Sequence, residues 1–199
     1  AAIKAAVSAT SADKIGAIAG DLAAVEEMYA LKELIRSLGS DNLDCRQDGV
    51  ALDPSLGRAS YLFNPTIEGI DRADALLLIG ANPRLEAAVL NARIRKRWRR
   101  GNFPIGVIGE GGDLRYDYEY LGSGPDTLGE LVNGTGDFLD KLRNAKNPMI
   151  IVGQGALMRA DGTAILNAAS KLANAVGALT DEWNGFGVLH TAASRVGGL

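Results

Sequence analysis

ADALLLIGANPRLEAAVLNARIRKRWRR, residues 73–100, changes character twice along its length. Residues 75–80 (ALLLIG) are apolar without alternation, the pattern of a strand buried on both faces. Gly80 ends the run and opens a turn. Asn82 carries a side-chain oxygen able to cap a helix. Pro83 suits the first helical position, where its missing N–H would have had no partner. From residue 86 the spacing turns helical, with Leu90, Ile94 and Trp98 on one stripe. Arg93, Arg95, Lys96, Arg97, Arg99 and Arg100 fall largely off that stripe, and cations near a helix C-terminus suit its dipole. Strand, tight turn and helix in this order are the repeating unit of a parallel α/β sheet.

Three other apolar runs share the design and end in glycine: KIGAIAG (14–20), PIGVIG (104–109) and MIIVG (149–153). Helical patterns lie between them. Residues 22–38 repeat apolar positions at 22, 25, 28, 31, 34/35 and 38, and 126–145 has room for two short helices. Residues 161–176 form an Ala-rich helix, 177–180 read as a short strand, 1–10 as a helix already under way, and 190–196 as the start of a last helix. Residues 44–65 carry turn signals and no period. The fold class is therefore α/β, a doubly wound, mostly parallel, Rossmann-like sheet with helices on both faces. The chain reads as one α/β region over 1–199 with a faint boundary near 144–147. Its first residues lack a Met or a cap and its last are Gly-Gly-Leu, so an excised piece of a longer protein is expected.

Composition narrows the chemistry. Of 199 residues, 47% are hydrophobic and the net charge is −3, so the chain as a whole is no polyanion binder. One cysteine, Cys45, and one histidine, His190, fall short of the roughly four ligands an iron–sulfur cluster or structural zinc requires. No run reaches about 20 apolar residues, so no spanning helix is expected, and no signal peptide is legible.

Ligands of open α/β sheets lie beyond the strand carboxyl ends. The candidates there are Gly20-Asp21, Gly80 to Arg84, Gly109-Glu110-Gly111-Gly112 and Gly153-Gln154-Gly155. Arg84 beside a capped helix start is a place for phosphate or carboxylate; the competing reading is a capped helix with an ion-paired arginine. The two glycine loops lack a third glycine at dinucleotide spacing, and no Gly-Lys-Ser/Thr occurs, so they read as tight turns. The basic run at 93–100 reads as a solvated face or a dock for an acidic partner, in preference to nucleic acid. Asp113, Tyr116, Asp117, Tyr118, Glu119 and Tyr120 form an acidic–tyrosine patch, either a loop or a partner surface. Cys45 and His190 read as packed residues.

The stretch 73–100 resembles the large iron–sulfur subunit of bacterial respiratory NADH–quinone oxidoreductase (complex I). SYLFNPTIEGIDRADA before it, NPMIIVGQGALMRADGTAIL at 147–166 and TDEWNGFGVLHTAASRVGGL at the end extend the resemblance over essentially the whole chain. The matched region is similar to the molybdopterin oxidoreductase superfamily, in which Gly-x-Asn-Pro at a strand end contacts a pterin dinucleotide. Gly80, Asn82 and Pro83 match that pattern, with Arg84 following, and so mark a vestigial pterin or anion site. Two departures accompany the match. Asp-Pro-Arg of the superfamily is replaced by Glu110-Gly111-Gly112-Asp113, and Cys45 follows Asn42-Leu43-Asp44 directly, with no later thiol. The resemblance thus implies a non-catalytic structural domain without metal or cofactor. Iron–sulfur clusters would sit in an N-terminal part of the subunit, and the partners would be other subunits of the peripheral arm. Neither nucleic acid nor membrane insertion is implied, and the place is the cytoplasmic side of the inner membrane. Two alternatives are a pterin-binding domain of an active oxidoreductase and, from NPMIIVGQGAL, the FAD-binding or empty central domain of thiamine-diphosphate enzymes.

Overall fold

A computed structural model describes residues 2–199. In chain order the elements are α1 (Ala2–Ser8), β1 (Ala17–Ile18), α2 (Val25–Ser37), β2 (Leu43–Asp44), α3 (Thr66–Arg72), β3 (Ala75–Ile79), α4 (Pro83–Glu86) and α5 (Ala88–Trp98). They continue as β4 (Ile105–Ile108), β5 (Glu119–Gly122), α6 (Pro125–Val132), α7 (Asp137–Arg143), β6 (Pro148–Val152), α8 (Gln154–Leu157), α9 (Gly162–Ala175), β7 (Phe186–Val188) and α10 (Arg195–Gly198). Two units result: residues 2–49 with Ala192–Leu199, and Val50–Thr191.

The larger unit holds a five-stranded sheet in the order β5-β4-β3-β6-β7, every pairing parallel. From β3 the chain winds outward through β4 to β5, then returns to the other side of β3 for β6 and β7. That reversal makes the sheet doubly wound. Strands β3, β4 and β6 are buried at every position, as their unbroken apolar runs require. Leu76, Leu78, Ile105, Val107, Met149 and Ile151 pack on one face against Ile70, Leu90 and Ile94 of α3 and α5. Alternate residues face α6, α7 and α9, where Phe138, Leu142, Ala169 and Leu172 are buried. Gly106 leaves room for the Phe138 ring, which would stand 2.8 Å from a Cβ there. The β7 edge is covered: Phe63 bridges Gly187, and the Val188 amide donates to the Leu62 carbonyl at 3.0 Å.

The smaller unit contains a β1–α2–β2 crossover whose strands pair in parallel as a separate two-stranded sheet. Arg195, 1% exposed, anchors it. Its guanidinium lies 2.8 Å from the Asp48 carboxylate and 3.6 Å from that of Asp21. Asp44 accepts from the Cys45 and Arg46 amides and from the Arg46 guanidinium. The guanidinium bond chiefly lowers its pKa to about 2. Burial, followed by the charge of Asp44, raises the Cys45 thiol above its usual range.

Several expectations change. The 14–20 run supplies only Ala17–Ile18, outside the main sheet. A 3₁₀ turn takes Ala12–Lys14, and Ile18 is 63% exposed, so the run was never buried on both faces. Residues 177–180 form no strand; Leu179 makes an isolated bridge to Asn184, and the edge strand comes later as β7. The faint boundary at 144–147 lies inside the larger unit. There the Lys146 and Asn147 amides both donate to Asp74 at 2.8 Å, which ties that loop to the start of β3. The two short helices expected in 126–145 are α6 and α7, and β5 emerges from the acidic–tyrosine patch.

Arg195→Met is expected to cost about 3 kcal/mol, because it leaves two carboxylates facing an apolar side chain; urea titration checks it. Asp44→Asn bears on pH. The folded pKa lies below the unfolded value of about 3.9, so the ion-pair contribution is present above that pH and lost as pH falls through about 2. Because the Asp44 side chain is over a third exposed, wild type is expected to exceed Asp44→Asn by at most about 1 kcal/mol at neutral pH. Melting curves should converge near pH 2.

Candidate functional site

The strand order reverses between β3 and β6, so the crevice of such a sheet opens at their carboxyl ends. Here the two ends close on each other. Gly80 has φ +55°, and a Cβ on it would stand 2.4 Å from the Ala156 amide nitrogen. A Cβ on Gly153 would stand 2.5 Å from the Gly80 carbonyl oxygen, and one on Gly155 at 2.8 Å from the same atom. Backbone therefore packs on backbone where a ligand would enter between the strands. The glycines of 153–155 serve this contact.

A cavity of about 220 Å³ survives beside it, over β3 and β4. Ile79, Ile108, Leu128 and Ile165 form its apolar part; Asn82, Glu86, Glu110, Ser123 and Arg159 supply polar groups. Asn82 behaves as its sequence requires: its side-chain oxygen accepts from the Leu85 amide at 3.3 Å. The Asn82 amide donates to Glu86 Oε1 at 2.9 Å. The chain's own carboxylate thus occupies the helix start, the place where an external anion would bind. Glu86 Oε2 is buried and, among the described residues, has no hydrogen-bond partner. The helix is also short: α4 ends at Glu86, and Ala87 (φ −151°, ψ 68°) breaks it from α5. Pro83 is buried at the first helical position.

Arg84 lies outside the cavity lining. Its Nη1 sits 2.8 Å from the Asp113 carboxylate and donates to the Asp113 carbonyl at 2.7 Å. Asp113 also accepts from the Arg115 amide at 2.9 Å. That amide, with the Arg115 and Arg84 guanidiniums, holds its carboxyl below the usual range. Arg159 pairs with Asp161 at 2.7 Å. The structure therefore brings Gly80 and Asn82 to the cavity with Glu86 and Glu110, and draws Arg84 away to Asp113.

The other candidates are engaged elsewhere. Tyr118 Oη accepts from the Gly112 amide and donates to the Gly112 carbonyl, both at 2.9 Å, closing the 110–113 loop. Tyr116 is buried, which pushes its hydroxyl pKa up. His190 Nε2 lies 2.5 Å from the Tyr61 carbonyl oxygen. Cys45 belongs to the smaller unit, buried beside Gly198, where a Cβ would meet Sγ at 2.8 Å.

Glu86, Ser123 and Arg159 were missed from sequence. Glu86 follows the cap by four residues, one more than a capping box. Ser123 and Arg159 come from distant chain segments and carry no local signal.

The whole chain, residues 1–199, matches the molybdopterin oxidoreductase family model. It is 47% identical over 193 residues to the mitochondrial 78 kDa subunit of NADH-ubiquinone oxidoreductase of Neurospora crassa, with 91% of this chain and 25% of that protein covered. It is 41% identical to the mitochondrial NADH dehydrogenase [ubiquinone] iron-sulfur protein 1 of Solanum tuberosum, covering 94% and 25%. It is 46% identical to an NADH-quinone oxidoreductase subunit of Rickettsia conorii, covering 94% and 28%. The chain thus spans about a quarter of the length of the curated relatives it matches.

Gly80→Ala is expected to destabilise the larger unit by about 3 kcal/mol or more, since a side chain meets fixed backbone at a left-handed φ. Gly101→Ala, also at positive φ (+81°) but with open space around it, should cost about 1 kcal/mol. Thermal melting of both variants separates contact from conformational strain; equal losses would refute the packing argument.

Proposed function

The chain belongs to the molybdopterin oxidoreductase family, and from that premise we propose that it is a non-catalytic structural domain of the iron–sulfur subunit of an NADH–quinone oxidoreductase. The observation that carries this reading is the closed switch point. Gly80, Gly153 and Ala156 fill the crevice, and Glu86 occupies the amide at Asn82. A pterin joined through a diphosphate to a nucleotide fits these residues poorly. The remaining 220 Å³ is below the roughly 300–1,000 Å³ usual for small-molecule sites. Glu86 and Glu110 in its wall oppose a diphosphate, and the two arginines closest in the structure are engaged, Arg159 of the wall by Asp161 and Arg84 outside it by Asp113. The frame around Gly80, Asn82, Pro83 and Arg84 reads as retained while the ligand function is lost.

On this reading the subunit's clusters are carried outside these residues, because one cysteine and one histidine cannot ligate one. The chain's role is to brace the cluster-bearing part and to contact other subunits of the complex's peripheral arm, on the cytoplasmic side of a bacterial inner membrane. Among the described residues no helix is long and apolar enough to cross a membrane. Electron transfer from NADH to quinone belongs to the assembled complex.

The test is metal and pterin analysis of the anaerobically purified chain. Iron, molybdenum and oxidised-pterin fluorescence are each expected well below one equivalent. The melting temperature is expected to be indifferent to added pterin. A stoichiometric metal, or a pterin-dependent rise in melting temperature lost in Arg84→Ala, would overturn the proposal in favour of a working cofactor domain.

A further inference from the structure

The basic run found in the sequence lies on a helix with two distinct faces. Inward, Leu90 and Ile94 are buried and Trp98 packs against the same core. Outward, Ala88, Val89, Ala92, Arg95, Lys96, Arg99 and Arg100 are exposed, a second helical stripe at the spacing by which helices dock. Its two ends differ. Toward the N-terminus Val89 is 80% exposed, and Leu85 of α4 is 81% exposed. Toward the C-terminus Arg95, Lys96, Arg99 and Arg100 surround Ala92 as an open basic surface.

The chain neutralises this surface only in part. Asp71 pairs with Arg93 at 2.9 Å and reaches Arg100 only at 3.8 Å. Arg97 is spent on the Ala73 and Gly101 carbonyls, at 2.7 and 2.9 Å. Arg95 donates to the Arg115 carbonyl at 3.0 Å. Among the described residues, neither Arg95, Lys96 nor Arg99 has a carboxylate within ion-pair distance. This local excess of cations stands in a chain of net charge −3.

We propose that the outward face of α4 and α5 docks an acidic helix of a partner protein, running antiparallel to α5. Carboxylates in the partner's first turns would lie against Arg95, Lys96 and Arg99, where arginine can hold a carboxylate through two hydrogen bonds. Apolar residues in its later turns would cover Val89 and Leu85. Antiparallel alignment also sets the positive end of the partner's dipole against the negative end of α5. The surface favours this occupant over two others. A membrane needs the apolar stripe of the helix, and here Leu90 and Ile94 are already buried under the sheet. Single-stranded nucleic acid calls for stacking aromatics, and Trp98 is packed inward; a duplex offers nothing apolar to cover exposed Val89 and Leu85. The inference stands on this surface alone, independent of whether the switch-point cavity binds anything.

The probe is a fluorescein-labelled, helix-forming peptide of about 16 residues with Glu on one face of its first half and Leu on the same face of its second. Anisotropy titration against the full chain at low salt is expected to show saturable binding. The triple variant Arg95→Glu/Lys96→Glu/Arg99→Glu should weaken it about tenfold or more, and Val89→Asp about threefold or more. A peptide with the two halves exchanged should bind several-fold more weakly. All substituted positions are exposed, so the fold should hold, with a lower melting temperature for the triple variant because acids replace cations at the helix C-terminus and the Arg95 bond to Arg115 is lost; if the triple variant fails to fold, Lys96→Glu alone supplies the comparison. Equal binding of the exchanged peptide, indifference to the substitutions, or preference for phosphatidylserine vesicles or DNA over the peptide would each overturn the proposal.

Discussion

Gly80 meets the turn after β6 with no space for a side chain, and this contact organises the larger unit. The connections leaving two neighbouring parallel strands normally diverge to opposite faces where the winding reverses, leaving an opening beyond the strand ends. Here the Gly80 carbonyl lies against Gly153 and Gly155, and its Cα side lies against Ala156. The approach is possible only because glycine stands at 80, 153 and 155. It seats α8 over the crevice and moves the remaining space toward β4. The position of the 220 Å³ cavity, and its bias toward Glu86 and Glu110, follow from that displacement.

Charge follows the same inward economy over most of the molecule. The amide at the Asn82 cap is taken by Glu86, four residues on. Arg84 finds Asp113, Arg159 finds Asp161, and buried Arg195 finds Asp48 and Asp21. A chain arranged in this way offers few strong electrostatic invitations to a small anion. On the outer face of α5, Lys96 and Arg99 are exposed and, among the described residues, have no carboxylate at ion-pair distance. The proposed reading, contact with macromolecules in place of small-molecule chemistry, rests on this combination of a closed strand-end crevice and a charged helix face. The relatives are named as subunits of NADH-ubiquinone and NADH-quinone oxidoreductases.

Much of this was legible in the chain before folding. Unbroken runs such as ALLLI and MIIV declare central parallel strands because both faces of such a strand must be apolar. Asn82-Pro83 declares a helix start, since cap and first-turn chemistry are local. Strand β5 was not legible: it is an edge, its residues are half-exposed, and Glu119 with Tyr120 reads as a polar patch. Strand β7 is three residues long with a glycine at its centre. The run at 14–20 misled because apolar composition does not distinguish a strand buried on both faces from one lying half in water.

The candidate site divides along the same line. Strand ends, glycine turns, the capping asparagine and the poverty of metal ligands are properties of residue type and short spacing, so reading the chain suffices for them. Whether Arg84 faces a ligand or Asp113, 29 residues away, depends on where the 110–113 loop returns. Whether Gly153 leaves an opening or closes one depends on the distance between β3 and β6. Those outcomes are set by long-range packing, in which residues far apart in the chain compete for the same few ångströms of space, and no local pattern encodes the winner.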